Sequence, residues 1–179
     1  ALAEAADAAS APSAAPPGPA APAASTAVGV SAADVRLVRT IERGDRAAAL
    51  ALIRDGANVR AKDNDGTTAL HWAAHLGDAE LTQALIRAGA DVRATNDYAA
   101  TPLSAAAEIG AANVLELLLK AGADVESPNA EGQTALMAAA RTGKVEAARV
   151  LSKHGANPNA FENWGGQTAL MWAAAQSQP

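Results

Sequence analysis

Glycine recurs along this chain at a fixed interval. Two registers keep a step of 33 residues: Gly44, Gly77, Gly110 and Gly143, and Gly56, Gly89, Gly122 and Gly155. Threonine keeps the same step at Thr68, Thr101 and Thr134, and Thr168 follows one residue later than the period requires. A common period in three registers indicates an array of stacked repeat units. The extra step indicates one inserted residue between Thr134 and Thr168.

Each unit has the start and stop signals of two short helices. In GTTALHWAAHLGDAELTQALIRAG, Thr68 suits the N-cap of a first helix, which ends near Gly77. Asp78 suits the N-cap of a second helix, and Gly89 suits a left-handed C-terminal cap. The next unit carries Pro102 directly after its threonine, where a missing amide donor costs nothing.

The links between helix pairs contain Asp, Asn and Gly and predict an extended arm that ends in a tight turn. Ala99 stands where the other turns have Gly66, Gly132 and Gly166. Because alanine disfavours positive φ, we expect this one turn to differ from the others.

Aromatic residues are only 3% of the chain, so a conventional core built on Phe and Tyr is not expected. Two short helices cannot bury a face alone, and each unit must use its neighbours as the rest of its core. A leucine is expected to fill the same buried position in each unit, at Leu70, Leu103, Leu136 and Leu170. Trp72 and Trp172 share another position and are also expected in the core.

These motifs resemble the ankyrin repeat. Thr-Ala-Leu-His at 68–71 and Thr-Pro-Leu at 101–103 are similar to its start, and Ala-Gly-Ala-Asp-Val at 88–92 and 121–125 is similar to its end. The resemblance, to a fragment of a bacterial-type ankyrin repeat protein, covers 32–179. It implies an all-α solenoid of helix-turn-helix units with β-hairpin fingers, in which fingers and first helices form a concave side. The predicted units are 32–64, 65–97, 98–130 and 131–164, with a partial unit at 165–179.

Residues 1–31 are rich in Ala and Pro and predict a disordered tether. Ala1-Leu2-Ala3 has the small-x-small form of a signal-peptidase site, which favours a periplasmic or secreted protein, with a cytoplasmic one as the alternative. The net charge of −5 argues against a nucleic-acid partner. No apolar run is long enough for membrane insertion, and there is no cysteine.

No catalytic set is evident, and we expect neither enzyme activity nor a cofactor. His71 and His75 have a spacing that can hold a metal, but HWAAH lacks the glutamate of a zinc-protease helix. The resemblance instead gives His71 a hydrogen bond that braces the finger, so no metal site is predicted.

The resemblance implies a non-catalytic module, expected to be monomeric, that binds a partner protein through its concave face and fingertips. Alternatives are the scaffold part of a longer enzyme or toxin, and a structural spacer. Tyr98, Phe161 and Trp164 either anchor a partner or pack over neighbouring fingers. The predicted contact residues are Tyr98, Phe161, Trp164, Asn64, Asp65, Thr67, His75, Glu108, Ile109, Glu131, Gln133, Arg141, Gln167 and Gln176.

Overall fold

The computed structural model describes residues 34–176, which form nine short helices and no strand. The predicted tether at 1–31 lies outside the described residues, as do residues 177–179. The helices are α1 (Asp34–Glu42), α2 (Arg46–Arg54), α3 (Ala69–His75), α4 (Ala79–Arg87), α5 (Pro102–Ile109), α6 (Ala112–Lys120), α7 (Ala135–Arg141), α8 (Val145–Lys153) and α9 (Ala169–Gln176).

Local sequence signals place the helix ends. Asp78 caps α4 by accepting the Leu81 amide at 2.9 Å, and Thr101 caps α5 by accepting the Ser104 amide at 3.1 Å. Pro102 occupies the first position of α5, as predicted. Gly89 takes φ +88°, the left-handed value that the sequence predicted after α4.

The helices form two layers. The odd-numbered helices follow one another in one layer, the even-numbered helices in the other, and each of α1, α3, α5 and α7 also contacts the even helix that follows it. The units therefore stand side by side and do not fold around one common centre. This is the all-α solenoid that the sequence predicted.

The buried core runs through the stack between these layers. Leu70 and Leu103 of the odd layer are fully buried, as are Leu115 and Leu118 of α6. Alanines such as Ala106, which is also fully buried, let the odd helices approach closely. Burial of apolar surface at about 25 cal/mol per Å² makes the contacts between units the main source of stability.

Hydrogen bonds also join successive units. Arg60 Nε donates to the Gly89 carbonyl and Arg93 Nε donates to the Gly122 carbonyl, both at 2.8 Å and across 29 residues. The equivalent position in the next unit is Glu126, whose carboxylate accepts the Asn157 amide at 2.7 Å. At this position the later unit donates and the earlier unit accepts, which is the reverse of the two arginine bonds. The two units are still joined by a hydrogen bond.

One core prediction is wrong at the last unit. Leu136 is 6% exposed, whereas Leu170, which has the same position on α9, is 76% exposed. Met171 is likewise exposed, although Met137 is fully buried. Within the described residues, no even-numbered helix follows α9, and α9 packs mainly on α7. Leu170 is exposed because, within the described residues, no second helix packs against α9 as α8 packs against α7.

This one-sided packing predicts a gradient of local stability. In this chain, amides of α9 should exchange with solvent at least about tenfold faster than amides of α5, which α3 and α7 cover on both sides. Hydrogen–deuterium exchange read by mass spectrometry measures both helices in one sample. Equal protection in α5 and α9 would contradict the prediction.

Candidate functional site

A tight turn precedes each of the four odd-numbered helices α3, α5, α7 and α9. We call these turns finger A (63–67), finger B (96–100), finger C (129–133) and finger D (162–167). The predicted β-hairpins are not found in the described residues, which hold only the isolated bridges Lys62–Thr68 and Phe161–Thr168. Each finger is too short for a ladder. In finger A, for example, two backbone bonds close the turn, from Asp63 N–H to the Thr67 carbonyl at 2.9 Å and from Gly66 N–H to the Asp63 carbonyl at 3.2 Å.

A polar side chain at the first position holds each finger closed. Asn96 Oδ1 accepts the Tyr98 and Ala100 amides at 3.1 and 2.9 Å. Asn129 Oδ1 accepts the Glu131 and Gln133 amides at 3.0 and 2.9 Å. Asp63 does the same in finger A. These bonds satisfy turn amides that would otherwise lack partners.

Finger D contains the inserted residue and uses a longer acid. Glu162 stands where the other fingers have Asp or Asn, and its carboxylate accepts the amides of Trp164, Gly165 (2.8 Å) and Gln167 (3.1 Å). The extra methylene of Glu lets its carboxylate reach across a turn that is one residue longer. Glu162 is only 4% exposed. Hydrogen bonds from the Gln167, Trp164 and Gly165 amides lower the pKa of Glu162.

The prediction that Ala99 changes the turn is wrong. Ala99 takes φ +55°, the only positive φ of a non-glycine residue in the described range, and so has the left-handed conformation of Gly66, Gly132 and Gly166. The two Asn96 hydrogen bonds close finger B around it. The closed turn therefore imposes a conformation that alanine alone disfavours.

Hydrogen bonds join the fingers in pairs. The Asp97 amide donates to the Asp65 carbonyl, and the Asn163 amide donates to the Glu131 carbonyl, both at 2.9 Å. Thr67, a predicted contact residue, is buried, and its hydroxyl accepts from Asn96 Nδ2 at 3.3 Å. Thr67 therefore ties finger A to finger B.

The fingertips present large side chains to solvent. Tyr98 at the tip of finger B is 68% exposed and Trp164 at the tip of finger D is 84% exposed. Phe161, on the arm before finger D, is 69% exposed. Such exposure does not fit close packing of these rings over neighbouring fingers.

Three grooves lie between the fingers and the odd-numbered helices. The first, of about 230 Å³, lies along α3 and includes Asp65, Trp72 and His75. The second, of about 160 Å³, lies along α5 between fingers B and C. The third, of about 560 Å³, joins fingers C and D to α9 and includes Trp164 and Trp172. We call the fingers, these grooves and the exposed ends of α3, α5, α7 and α9 the finger surface.

The two tryptophans that lie on helices, Trp72 of α3 and Trp172 of α9, are each half-buried, so neither is fully enclosed in the core as predicted. Trp72 is half-buried against the core and meets His75 edge to face, with ring centroids 6.1 Å apart. Trp172 lies under the guanidinium of Arg141, 5.7 Å from its ring centroid. Within the described residues, neither indole N–H has a hydrogen-bond partner, although both are shielded from solvent.

His71 has the bracing role that the resemblance implied. Its Nδ1 accepts the Thr68 amide at 3.2 Å and lies 2.8 Å from the Thr68 hydroxyl, so Nε2 carries the proton and donates to the Ala100 carbonyl of finger B at 3.0 Å. Burial lowers the pKa of His71 and favours this neutral form. With both ring nitrogens engaged, His71 has no lone pair free to join His75 on a metal.

The other predicted residues lie on the same side but do not converge on one point. Glu108 and Arg141 form an exposed ion pair at 3.4 Å that links α5 to α7. Gln133 and Gln167 line the third groove. Ile109 is half-buried beside Gly77, and the rest are solvent-exposed: Asn64, His75 and Gln176.

Sequence reasoning missed two structural features. The buried role of Glu162 had a signal, because a longer acid coincides with the inserted residue. The arginine bonds between units had none, since their acceptors are backbone carbonyls. Among residues 34–176, no group of three or more His, Asp or Glu side chains could hold a metal ion, and no helix has the length and apolar character needed to cross a membrane.

The fold and its fingers define a repeat solenoid of paired helices. The protein-family model described as “Ankyrin repeats (3 copies)” matches residues 37–129 and 126–179. The chain therefore belongs to the ankyrin repeat family, whose members generally act as protein-interaction modules. No curated protein matches the chain significantly.

The strained turn of finger B predicts a stabilising substitution. Ala99→Gly should raise the free energy of unfolding by about 1 kcal/mol, because a non-glycine residue pays about 1–2 kcal/mol in the left-handed region. Thermal unfolding by circular dichroism should show a rise in Tm of about 2–4 °C. Ala130→Gly in finger C is the matched control, and an equal rise in that variant would refute the explanation.

The Glu162 carboxylate predicts a pH-dependent contribution to stability. Its pKa is lower in the folded chain than the ordinary 4.5, so its contribution is present above about pH 4.5 and is lost as pH falls through the folded value. Glu162→Gln should lower Tm at pH 7, and the gap to the unsubstituted chain should narrow below pH 4.5. Glu146→Gln on α8 is the control, because that carboxylate contacts Arg149 instead of turn amides. A gap that is constant with pH would contradict this role.

Proposed function

We propose that this chain binds a partner protein across its finger surface. The observation that carries the proposal is the exposure of Tyr98 and Trp164 at the tips of fingers whose bases are closed by partly buried hydrogen bonds. Tyrosine and tryptophan are enriched among the residues that dominate binding energy at protein interfaces. Their presentation on closed turns reduces the entropy lost on binding.

The grooves behind the fingertips also support binding of a partner protein to the finger surface. They add concave space along α3, α5 and α9, where side chains of a partner can enter between a finger and a helix. Their lining mixes indole rings with the amides of Gln133 and Gln167 and the carboxylate of Glu131. A mixed polar and aromatic lining is typical of protein interfaces.

We propose that the surface works by binding alone. Its buried acid and its buried histidine have structural roles: Glu162 holds turn amides, and His71 joins α3 to finger B. Location outside the cytoplasm, periplasmic or secreted, stays a prediction from the sequence, and cell fractionation would test it. The two alternatives, a scaffold part of a longer enzyme or toxin and a structural spacer, predict no partner protein on the finger surface, because neither role requires a partner to bind there.

Site-specific photocrosslinking in the cells that make the protein tests the proposal. A benzophenone amino acid at Gln133 or Gln167 should give a discrete adduct with a partner, because these positions line the third groove. The same group at Glu146, which is exposed on α8, is the matched control. Mass spectrometry of the adducts identifies the protein that is crosslinked.

Each outcome of this experiment is informative. A discrete adduct from the groove positions, absent at Glu146, supports binding through the finger surface. Adducts from Glu146 alone would move the interaction to the even-numbered layer and refute the proposed site. Absence of adducts at all three positions would favour the spacer.

A further inference from the structure

One residue position at the fingertips holds an acidic side chain in some fingers and an aromatic side chain in others. The tip position holds Asp65, Tyr98, Glu131 and Trp164 in fingers A to D. The register is supported by the bonds between fingers, since the amides of Asp97 and Asn163, each one residue before its tip, donate to the carbonyls of Asp65 and Glu131. Acid and aromatic side chains therefore alternate along the row.

The two acids of the row are not paired with cations. No ion pair of the described residues includes Asp65 or Glu131. Lys62, on the arm of finger A, donates to the Thr95 carbonyl at 3.1 Å instead. Hydrogen bonds from Asp63, when that neighbouring acid is protonated, and from the side chain and backbone amide of Thr67 lower the pKa of Asp65 to about 2, so Asp65 is ionised at neutral pH. The Thr67 amide bonds only Oδ1 of this carboxylate, at 3.0 Å. Glu131 is exposed, and Asn129 Nδ2 bonds only one of its two oxygens.

The two aromatic side chains of the row are also accessible to a ligand. Tyr98 and Trp164 project into solvent, and neither belongs to the core cluster. The face of an aromatic ring attracts a lysine or arginine cation, and tryptophan does so most strongly. All four positions of the row thus favour one kind of ligand group, a cation, by two different interactions.

The spacing of the row sets the spacing of those cations. Helices of successive units pack about 8–10 Å apart, so the tip positions repeat at about that distance. An extended chain in the polyproline-II conformation has three residues per turn and advances about 3.1 Å per residue, so every third side chain lies on the same face, about 9 Å from the last. Consecutive tips therefore match every third side chain of an extended segment in this threefold conformation.

We propose that the fingertip row, Asp65, Tyr98, Glu131 and Trp164, binds an extended basic segment of the partner protein with Lys or Arg at about every third position. This inference rests on the proposed function and names the chemistry of the partner. The chain's net charge of −5 attracts such a segment at long range and repels an acidic one. Arginine suits all four tips, because its planar guanidinium pairs with carboxylates and stacks on aromatic rings.

Synthetic peptides test the proposal directly on the purified chain. The probe is a twelve-residue peptide, (Arg-Ser-Gly)₄, which spans about 40 Å when extended. One control has the same composition with its four arginines adjacent, and the other replaces arginine by glutamate. Isothermal titration calorimetry at low salt, followed by a salt series, compares the three peptides.

Variants of the chain locate the binding. Asp65→Asn, Glu131→Gln and Tyr98→Ala should each weaken binding of the spaced peptide about two- to five-fold, as expected for single exposed cation contacts. Trp164→Ala should have an effect at least as large. Glu146→Gln on α8 is the control and should leave the affinity unchanged. Thermal unfolding of each variant confirms that it is folded, and Asp65→Asn tests the row even if a ring deletion perturbs finger D.

Tight binding of the spaced peptide that is weakened by the tip substitutions supports the row. Equal affinity for the peptide with adjacent arginines would overturn it, because net charge alone would then explain the binding. Failure of the spaced peptide to bind would also overturn it. If crosslinks from Gln133 and Gln167 persist in that case, the protein-binding function stands and only the partner chemistry is wrong.

Discussion

Every other feature of this protein depends on burial between units that cannot bury a core alone. Its helices have seven to nine residues, and the fully buried leucines of one pair are covered by the pairs beside it. The glycine period follows from this requirement, because each unit must turn at the same points to present the same face. Hydrogen bonds such as Arg60 to Gly89 and Arg93 to Gly122 then hold neighbours in register. Leu170 illustrates the same requirement, since it is exposed where no neighbouring pair within the described residues covers it.

In each finger, the base stabilises the fold, and the tip has the proposed binding role. The base of each finger must hold two or three turn amides, which restricts it to side chains with a well-placed acceptor. Finger D shows how strict this is, because its longer turn is matched by Glu162. The tip has no such restriction, since Tyr98 and Trp164 touch little of their own chain. Under the proposed function, the tips are therefore free to carry recognition on a rigid support.

The alternation of acid and aromatic tips gives the proposed surface both attraction and geometry. Charges such as those of Asp65 and Glu131 act over roughly 10 Å at 0.1 M salt and favour encounter with a basic partner. The rings of Tyr98 and Trp164 act only in contact and depend on position. A surface of this kind distinguishes spaced cations from clustered ones, which net charge alone does not.

The sequence by itself determined whatever depends on residues close along the chain. The helix starts at Asp78 and Thr101, the left-handed Gly89 and the stacked architecture all follow from local capping and period. The resemblance to ankyrin repeats further implied the brace by His71. Only the tertiary structure decided the left-handed Ala99, the exposure of Leu170, the burial of Glu162 and the absence of hairpin strands from the described residues. These depend on what a closed turn or a unit some 30 residues away supplies, and no propensity of a single residue contains that information.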